Sequence, residues 1–197
     1  QLDDPKSGTE MRKDGDPAAA FAAADKVIER EYQCPFLSHS PMEPMNFYAN
    51  VKADGTIELA GPTQTPGRAV GSISKLLDIP QDKISLELTK MGGGFGRRLY
   101  DGYAVEAAQL SSIIKMPVKV TWTKEDDITG GYYRPAVRYR FKAAIKDGEV
   151  TAFYLKGVGL NAGNCTRQDN FPAGAIDNLL IESVNYKSPI TTGPWRA

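Results

Sequence analysis

The residues best equipped for chemistry stand together at Met91-Gly92-Gly93-Gly94-Phe95-Gly96-Arg97-Arg98. Glycine loses more backbone entropy on folding than any other residue and brings no side chain to pack. A run of four glycines in five positions therefore fits a loop whose backbone takes positive φ values or admits a ligand closer than a Cβ allows. Successive N–H groups in such a loop form an anion-binding concavity, and two guanidinium groups beside it add charge. A flexible hinge is the alternative, but hinge sequences seldom hold a large apolar residue such as Phe95 among their glycines. Two nucleotide readings fail on spacing. A Walker-type loop needs Lys-Ser/Thr after its last glycine, where Arg97-Arg98 stand, and a dinucleotide fingerprint begun at Gly92 meets Arg97 at its third glycine. A generic phosphate or oxyanion nest remains.

Other chemistries have little to work with. The single histidine, His39, and two scattered cysteines, Cys34 and Cys165, argue against a His/Cys metal site, so no protein metal ligand is expected. A histidine-dependent nucleophile would have to use His39, and no nucleophile turn lies near it. The two cysteines either pair in an oxidising compartment or remain as two buried thiols. Over 197 residues the formal net charge is +0, which offers no argument for nucleic acid or a membrane surface as partner. No apolar run is long enough to cross a bilayer, and Gln1 to Asp16 lack the apolar centre of a signal peptide.

The elements that must position the glycine loop follow from hydrophobic periodicity. Residues 1–15 read as a polar tail or linker, and 16–197 as one domain cut short at its C-terminal end. Asp16-Pro17 reads as an N-cap and first helical residue, opening a helix to Tyr32 with Phe21, Ala24, Ile28 and Tyr32 on one face. The prolines at 35, 41 and 44 make an extended segment around His39 and Glu43. Phe47, Ala49 and Val51 alternate as a strand, Asp54-Gly55 turns, and Ile57 and Leu59 return. Pro66 opens a helix carrying Val70, Ile73 and Leu77 that stops before Pro80. Ile84, Leu86 and Leu88 make the inward side of the strand before the glycine loop. A helix from about Asp101 to Lys115 and a strand through Val118, Val120 and Trp122 follow it. The loop thus sits in a strand-loop-helix-strand unit, at the carboxyl end of a strand. Lys124-Glu125-Asp126-Asp127 reads as a solvated turn. Tyr139 to Ile145 and Val150 to Tyr154 form a second hairpin about Asp147-Gly148, and Phe171 to Leu180 holds a short helix. The expected class is α+β, with mixed and antiparallel sheets and helices packed on one face.

With these elements in place, Gly-Gly-Gly-Phe-Gly-Arg-Arg after a strand resembles the cofactor loop of the molybdenum hydroxylases, the xanthine dehydrogenase/aldehyde oxidase family. The nearest branch is that of the isoquinoline 1-oxidoreductase-like large subunits. Ser38-His39-Ser40-Pro41-Met42-Glu43-Pro44 is similar to that branch's His-x-Pro-Met-Glu-Pro signature, and Thr63-Gln64-Thr65-Pro66 to its Thr-Gln-x-Pro element. Pro117 to Asp126, Asn161-Ala162-Gly163-Asn164 and Gly193-Pro194-Trp195-Arg196-Ala197 follow in the family's order.

The resemblance implies a molybdenum–pterin cofactor, molybdopterin or its cytosine dinucleotide, held through pterin sulfurs and not ligated by protein side chains. Gln64 matches a glutamine that hydrogen-bonds an oxo group, Gly93, Gly94, Phe95 and Gly96 match the loop against the metal centre, and Arg196 matches an arginine of the next cofactor-lining motif. Arg97 is placed with them as a cofactor-binding residue, Arg97 and Arg98 being equally open to phosphate contact or to an ion pair. Read without the family, Gln64 caps the following helix, Glu43 is a buried acid satisfied by backbone amides, and His39 is structural. The family's catalytic glutamate belongs to a C-terminal part of these subunits, so no residue here is nominated as catalytic. Purine-hydroxylating members carry a Glu-Arg pair before a Tyr-Lys-x-Pro segment. Here Ile176-Asp177 precede Tyr186-Lys187-Ser188-Pro189, which favours an aldehyde or N-heteroaromatic substrate. The implied enzyme hydroxylates that small molecule with oxygen from water and passes electrons to an iron–sulfur (2Fe-2S) subunit or a cytochrome. Periplasmic placement follows from the branch, with cytoplasmic placement also open. The rival readings are an inactive cofactor- or partner-binding scaffold and, on the glycines alone, a phosphate-loop enzyme.

Overall fold

The computed structural model describes residues 8–163, 165–169 and 173–196. Along the chain run β1 (Thr9–Asp14), α1 (Pro17–Ala22), β2 (Lys26–Cys34), β3 (Leu37–Ser38), β4 (Asn46–Val51), β5 (Ile57–Gly61), α2 (Pro66–Leu77) and β6 (Ile84–Leu88). Then come α3 (Gly102–Ile114), β7 (Val118–Thr121), α4 (Lys124–Thr129), β8 (Tyr133–Arg134), β9 (Ala136–Lys146), β10 (Glu149–Leu160) and β11 (Asn178–Tyr186). These elements fall into two compact units, Gln1–Leu37 with Pro135–Thr192, and Ser38–Arg134 with Gly193–Ala197.

The first unit is a five-stranded sheet in the order β1-β11-β10-β9-β2, with β10 and β11 parallel and every other pair antiparallel. The expected hairpin forms as β9 and β10, with Asp147 and Gly148 both at positive φ in its turn. Leu155, Leu179 and Ile181 make its core, packed by Met11, Tyr139, Phe141 and Phe153. Cys34 and Cys165 are free thiols, both half-buried. Three expectations change here. Thr9–Asp14, read as part of a tail, pairs with β11 along its length. The helix begun at Asp16 does cap correctly, with the Asp16 carboxylate accepting from the Ala19 N–H at 3.1 Å, but it ends at Ala22. From Lys26 the chain is strand β2, because every residue from Lys26 to Cys34 pairs with β9, and that ladder, with Glu29 and Glu31 facing Arg138, Arg140 and Lys142 across it, outweighs local helix propensity. Of the short helix expected over 171–180, residues 171 and 172 lie outside the described residues, and Asn178–Leu180 belong to strand β11. Asn164 and Ala197, the closing residues of two motifs, also lie outside.

The second unit is a four-stranded sheet in the order β6-β5-β4-β7. β5 and β6 are parallel, while β4 is antiparallel to both β5 and β7. β6 and β7 therefore run in the same direction at the two edges, joined through α3. Period-2 burial puts Phe47, Ala49, Ile57 and Leu59 on one face, where they meet Ala69 and Ile73 of α2 and Tyr103, Ala104, Ala107 and Ala108 of α3. The expected class, with helices over one face of a mixed sheet, describes this unit. Both helices close on left-handed residues, Asp78 and Lys115, within a residue or two of the expected ends. The acidic run after β7 differs from its expectation. It forms α4, opened by a Thr123–Asp126 capping box, and Asp127 is buried. Among the described residues no helix is long and apolar enough to cross a membrane.

Candidate functional site

The glycine loop leaves β6 and enters α3 within the second unit. The carbonyls of Gly92 to Gly96 are all engaged. Gly92 O accepts from Glu43 N, Gly94 O from Arg97 N, Phe95 O from Arg196 N and Gly96 O from Leu99 N. Gly93 O accepts from the Arg98 guanidinium, Nε at 2.8 Å. The Gly92 N–H donates to Glu43 Oε2 at 2.7 Å, and the Gly96 and Arg98 N–H groups both donate to Gln64 Oε1 at 3.2 Å. Three consecutive N–H groups, those of Gly93, Gly94 and Phe95, have no acceptor among the described residues. Gly93 is half-buried and Gly94 buried, where a backbone donor is nearly always paired, and with the exposed Phe95 they form a row of N–H groups able to receive acceptors.

Those groups belong to residues lining one cleft of about 460 Å³, together with Gln64, Met91, Gly96, Leu99, Pro194, Trp195 and Arg196. Because Gln64 Oε1 takes two backbone donors, its amide is oriented and its NH2 group is the half left to the cleft. The loop is held in conformations that favour glycine. Gly93 and Gly96 have φ of 106° and 97°, and Phe95, a bulky residue, is held at 54°. At Gly96 close approach is also required, since a Cβ there would lie 2.2 Å from the Pro194 carbonyl oxygen. At Gly94 it would lie 2.6 Å from Gln64 Oε1. The Pro194–Arg196 segment is thus laid backbone to backbone along the loop.

The two arginines after the glycines turn into the scaffold. Arg97 donates from Nε to Asp127 Oδ1 at 3.1 Å, with both side chains almost wholly buried, and its guanidinium lies between the Trp122 and Tyr132 rings. It does not line the cleft. Arg98 is fully buried and pairs with Glu43 at 3.0 Å. Of the two openings left by sequence, an ion pair is the one both take. Asp127, absorbed in an acidic run, gave no local signal of its burial. Glu43 lies between prolines as expected and accepts from Asn46 as well as from Gly92 and Arg98. Partial burial pushes its pKa up, but the Gly92 and Asn46 hydrogen bonds with the charges of Arg98 and Lys119 outweigh this and hold it below the usual carboxylate range. His39 is buried against Trp195, its ring nitrogens 3.0 Å from the Tyr132 oxygen and 2.7 Å from the Pro194 oxygen. It therefore ties down the segment that abuts Gly96. Met91, Leu99 and Trp195 were not singled out by sequence as lining residues. They supply the apolar part of the wall.

The family model described as the molybdopterin cofactor-binding domain matches residues 2–184. The chain belongs to that family. The isoquinoline 1-oxidoreductase subunit beta of Brevundimonas diminuta is 39% identical over 137 residues, which cover 68% of this chain and 18% of the relative. A membrane-bound aldehyde dehydrogenase (pyrroloquinoline-quinone) of Gluconacetobacter polyoxogenes is 33% identical over 147 residues, covering 73% and 19%. Among solved structures, quinoline 2-oxidoreductase from Pseudomonas putida 86 superposes with a TM-score of 0.76 at 21% identity, over 96% of this chain and 26% of that one. The aldehyde oxidoreductase of Desulfovibrio gigas gives 0.73 at 18% identity, over 96% and 22%. The molybdopterin cofactor-binding fold expected from the motifs is the fold found. The chain spans about a fifth of the length of these two curated relatives.

Proposed function

We propose that this molybdopterin cofactor-binding domain forms part of a large oxidoreductase subunit that hydroxylates an aldehyde or N-heteroaromatic substrate with oxygen from water. The observation that carries this reading is the donor set. The residues that carry three unpaired loop N–H groups, the Gln64 NH2 and the exposed Arg196 side chain all line one cleft, while the carbonyls of Gly92 to Gly96 are taken up by other donors. A molybdenum–pterin group presents acceptors: oxo ligands, pterin carbonyl and nitrogen atoms, and phosphate. The residues present fit it. When bound, the group supplies the two-electron oxidation of the substrate. Gln64, Gly93, Gly94 and Phe95 hold its acceptors by hydrogen bonds, and Arg196 meets negative charge. Gly96 permits the close packing of the second wall. Arg97 contributes by holding the loop's exit through Asp127 rather than by touching the ligand.

The apolar wall of Met91, Phe95, Leu99 and Trp195 suits a flat or aliphatic neutral substrate. No described lining residue is a carboxylate, so on this reading the base that takes the proton of the water-derived oxygen comes from another part of the subunit. The names of two of the relatives, an isoquinoline oxidoreductase and an aldehyde dehydrogenase, support the substrate class. An iron–sulfur subunit or a cytochrome is the proposed electron acceptor. The test is to purify the full-length subunit and measure molybdenum by elemental analysis and pterin by its oxidised fluorescence. Stoichiometric molybdenum and pterin, with turnover of an aldehyde or N-heteroaromatic, is the expected result. A folded subunit holding neither overturns the proposal.

A further inference from the structure

The glycine loop has almost no regular structure of its own, so residues outside it must decide which peptide groups face the cleft. Two side chains in contact with each other do much of this. Glu43 donates its own N–H to Gly92 O at 3.3 Å and accepts the Gly92 N–H on Oε2 at 2.7 Å. Arg98 donates from Nε to Gly93 O at 2.8 Å, and from Nη2 to Glu43 Oε2 and Glu43 O, both at 3.0 Å. The Arg98 N–H also helps to orient the Gln64 amide. Asn46 braces the other carboxylate oxygen at 3.0 Å, and the Tyr103 ring lies 5.9 Å from the guanidinium. Neither Glu43 nor Arg98 lines the cleft.

We infer that Glu43 and Arg98 are positioning residues: they occupy both peptide groups at the start of the loop, so that what is left to the cleft is a row of N–H donors. The inference rests on the proposed cofactor reading for its purpose, but not for its geometry. The planar fork is essential, because one guanidinium serves the Gly93 carbonyl and the Glu43 carboxylate at once. A lysine at 98 keeps the charge as a single point and cannot span both. A glutamine at 43 keeps the size but removes the charge, and it can leave an oxygen on the Gly92 and Arg98 donors only by turning its NH2 toward the Asn46 Nδ2 donor.

Hydrogen exchange of the full-length subunit, followed by mass spectrometry on the peptide spanning residues 91–99, tests this. In Glu43→Gln and Arg98→Lys the Gly92, Gly96 and Arg98 amides are expected to exchange at least about tenfold faster, with peptides from α3 unchanged. Lys52→Ala, which removes an exposed ion pair with Glu58 in the same unit, leaves the loop as in the wild type. A pH series separates positioning from packing. The Glu43 carboxylate faces Arg98 and Lys119 and titrates below the usual range. Its hold on Gly92 is therefore complete above the ordinary carboxylate pKa and lost as pH falls through the lowered one. Loop protection, corrected for intrinsic rates, should fall at acid pH in the wild type, and Glu43→Gln should abolish that dependence. Unchanged loop exchange in both variants overturns the inference. So does loosening shared equally by α3, or an acid profile identical in wild type and Glu43→Gln. If Arg98→Lys does not fold, Glu43→Gln and the pH series decide. A wild-type subunit that shows these loop effects but binds no pterin overturns the cofactor reading alone.

Discussion

Replacing Gly96 by alanine separates two reasons for a glycine, and the structure contains its own control. Gly96 has φ of 97° and a virtual Cβ 2.2 Å from the Pro194 carbonyl oxygen, whereas Gly55 has φ of 82° and nothing within 4 Å. An alanine at either position meets the left-handed penalty, roughly 1–2 kcal/mol. Only at Gly96 must a backbone carbonyl also move, by about 1 Å to reach an ordinary contact, an overpacking cost of roughly 1–3 kcal/mol. The difference converts to about a 5- to 150-fold change in local opening. The reporter is the Arg196 amide, which donates to Phe95 O at 3.0 Å and joins the two walls of the cleft. Gly96→Ala should speed exchange of that amide by this factor and lower pterin retention, while Gly55→Ala leaves both near the wild type. If the Arg196 amide exchanges no faster in Gly96→Ala than in Gly55→Ala, the close approach of the two segments is not what the glycine is for.

Three further outcomes are expected. Gln64→Glu keeps an oxygen for the Gly96 and Arg98 N–H groups but removes the NH2 donor. The loop should stay ordered while molybdenum and pterin content fall, by roughly 10- to 100-fold in affinity for one charge-assisted hydrogen bond; full cofactor content would refute the role of Gln64 as a donor. Asp127→Ala strands Arg97 buried between Trp122 and Tyr132, a loss of about 3–5 kcal/mol. A thermal midpoint unchanged from the wild type would show that the pair does not hold the loop's exit. In the first unit, burial and the Glu182 carboxylate at 2.5 Å push the Tyr154 pKa up. The neutral phenol is favoured by folding, so its contribution is complete below the ordinary tyrosine pKa and is lost as pH rises through the raised one. Urea midpoints measured from about pH 9 to 11 should fall with pH, and less steeply in Tyr154→Phe; equal slopes would show that Tyr154 is not the titrating group.

What could be read without coordinates was what depends on near neighbours. Asp54-Gly55 and Asp147-Gly148 turn because Gly55, Asp147 and Gly148 take positive φ, and both hairpins follow. Pro66 starts α2, and alternating apolar residues put Phe47, Ala49, Ile57 and Leu59 on one face. The glycine loop announced itself through the cost of so many glycines, and the motif order placed the chain in its family. Lys26–Cys34 was misread because its helical stripe and its strand alternation coexist locally, and the choice lies with β9, more than a hundred residues away. The same holds for Thr9–Asp14, whose polar residues become strand only when β11 offers an edge. Sequence order cannot show that Arg97 would find Asp127, that Arg98 would grip Glu43 and Gly93 together, or that Pro194 would press on Gly96. Those pairings decide which peptide groups keep a partner. The glycines determine that the backbone at this place can be approached, and only the tertiary hydrogen bonds decide that it is approached by acceptors.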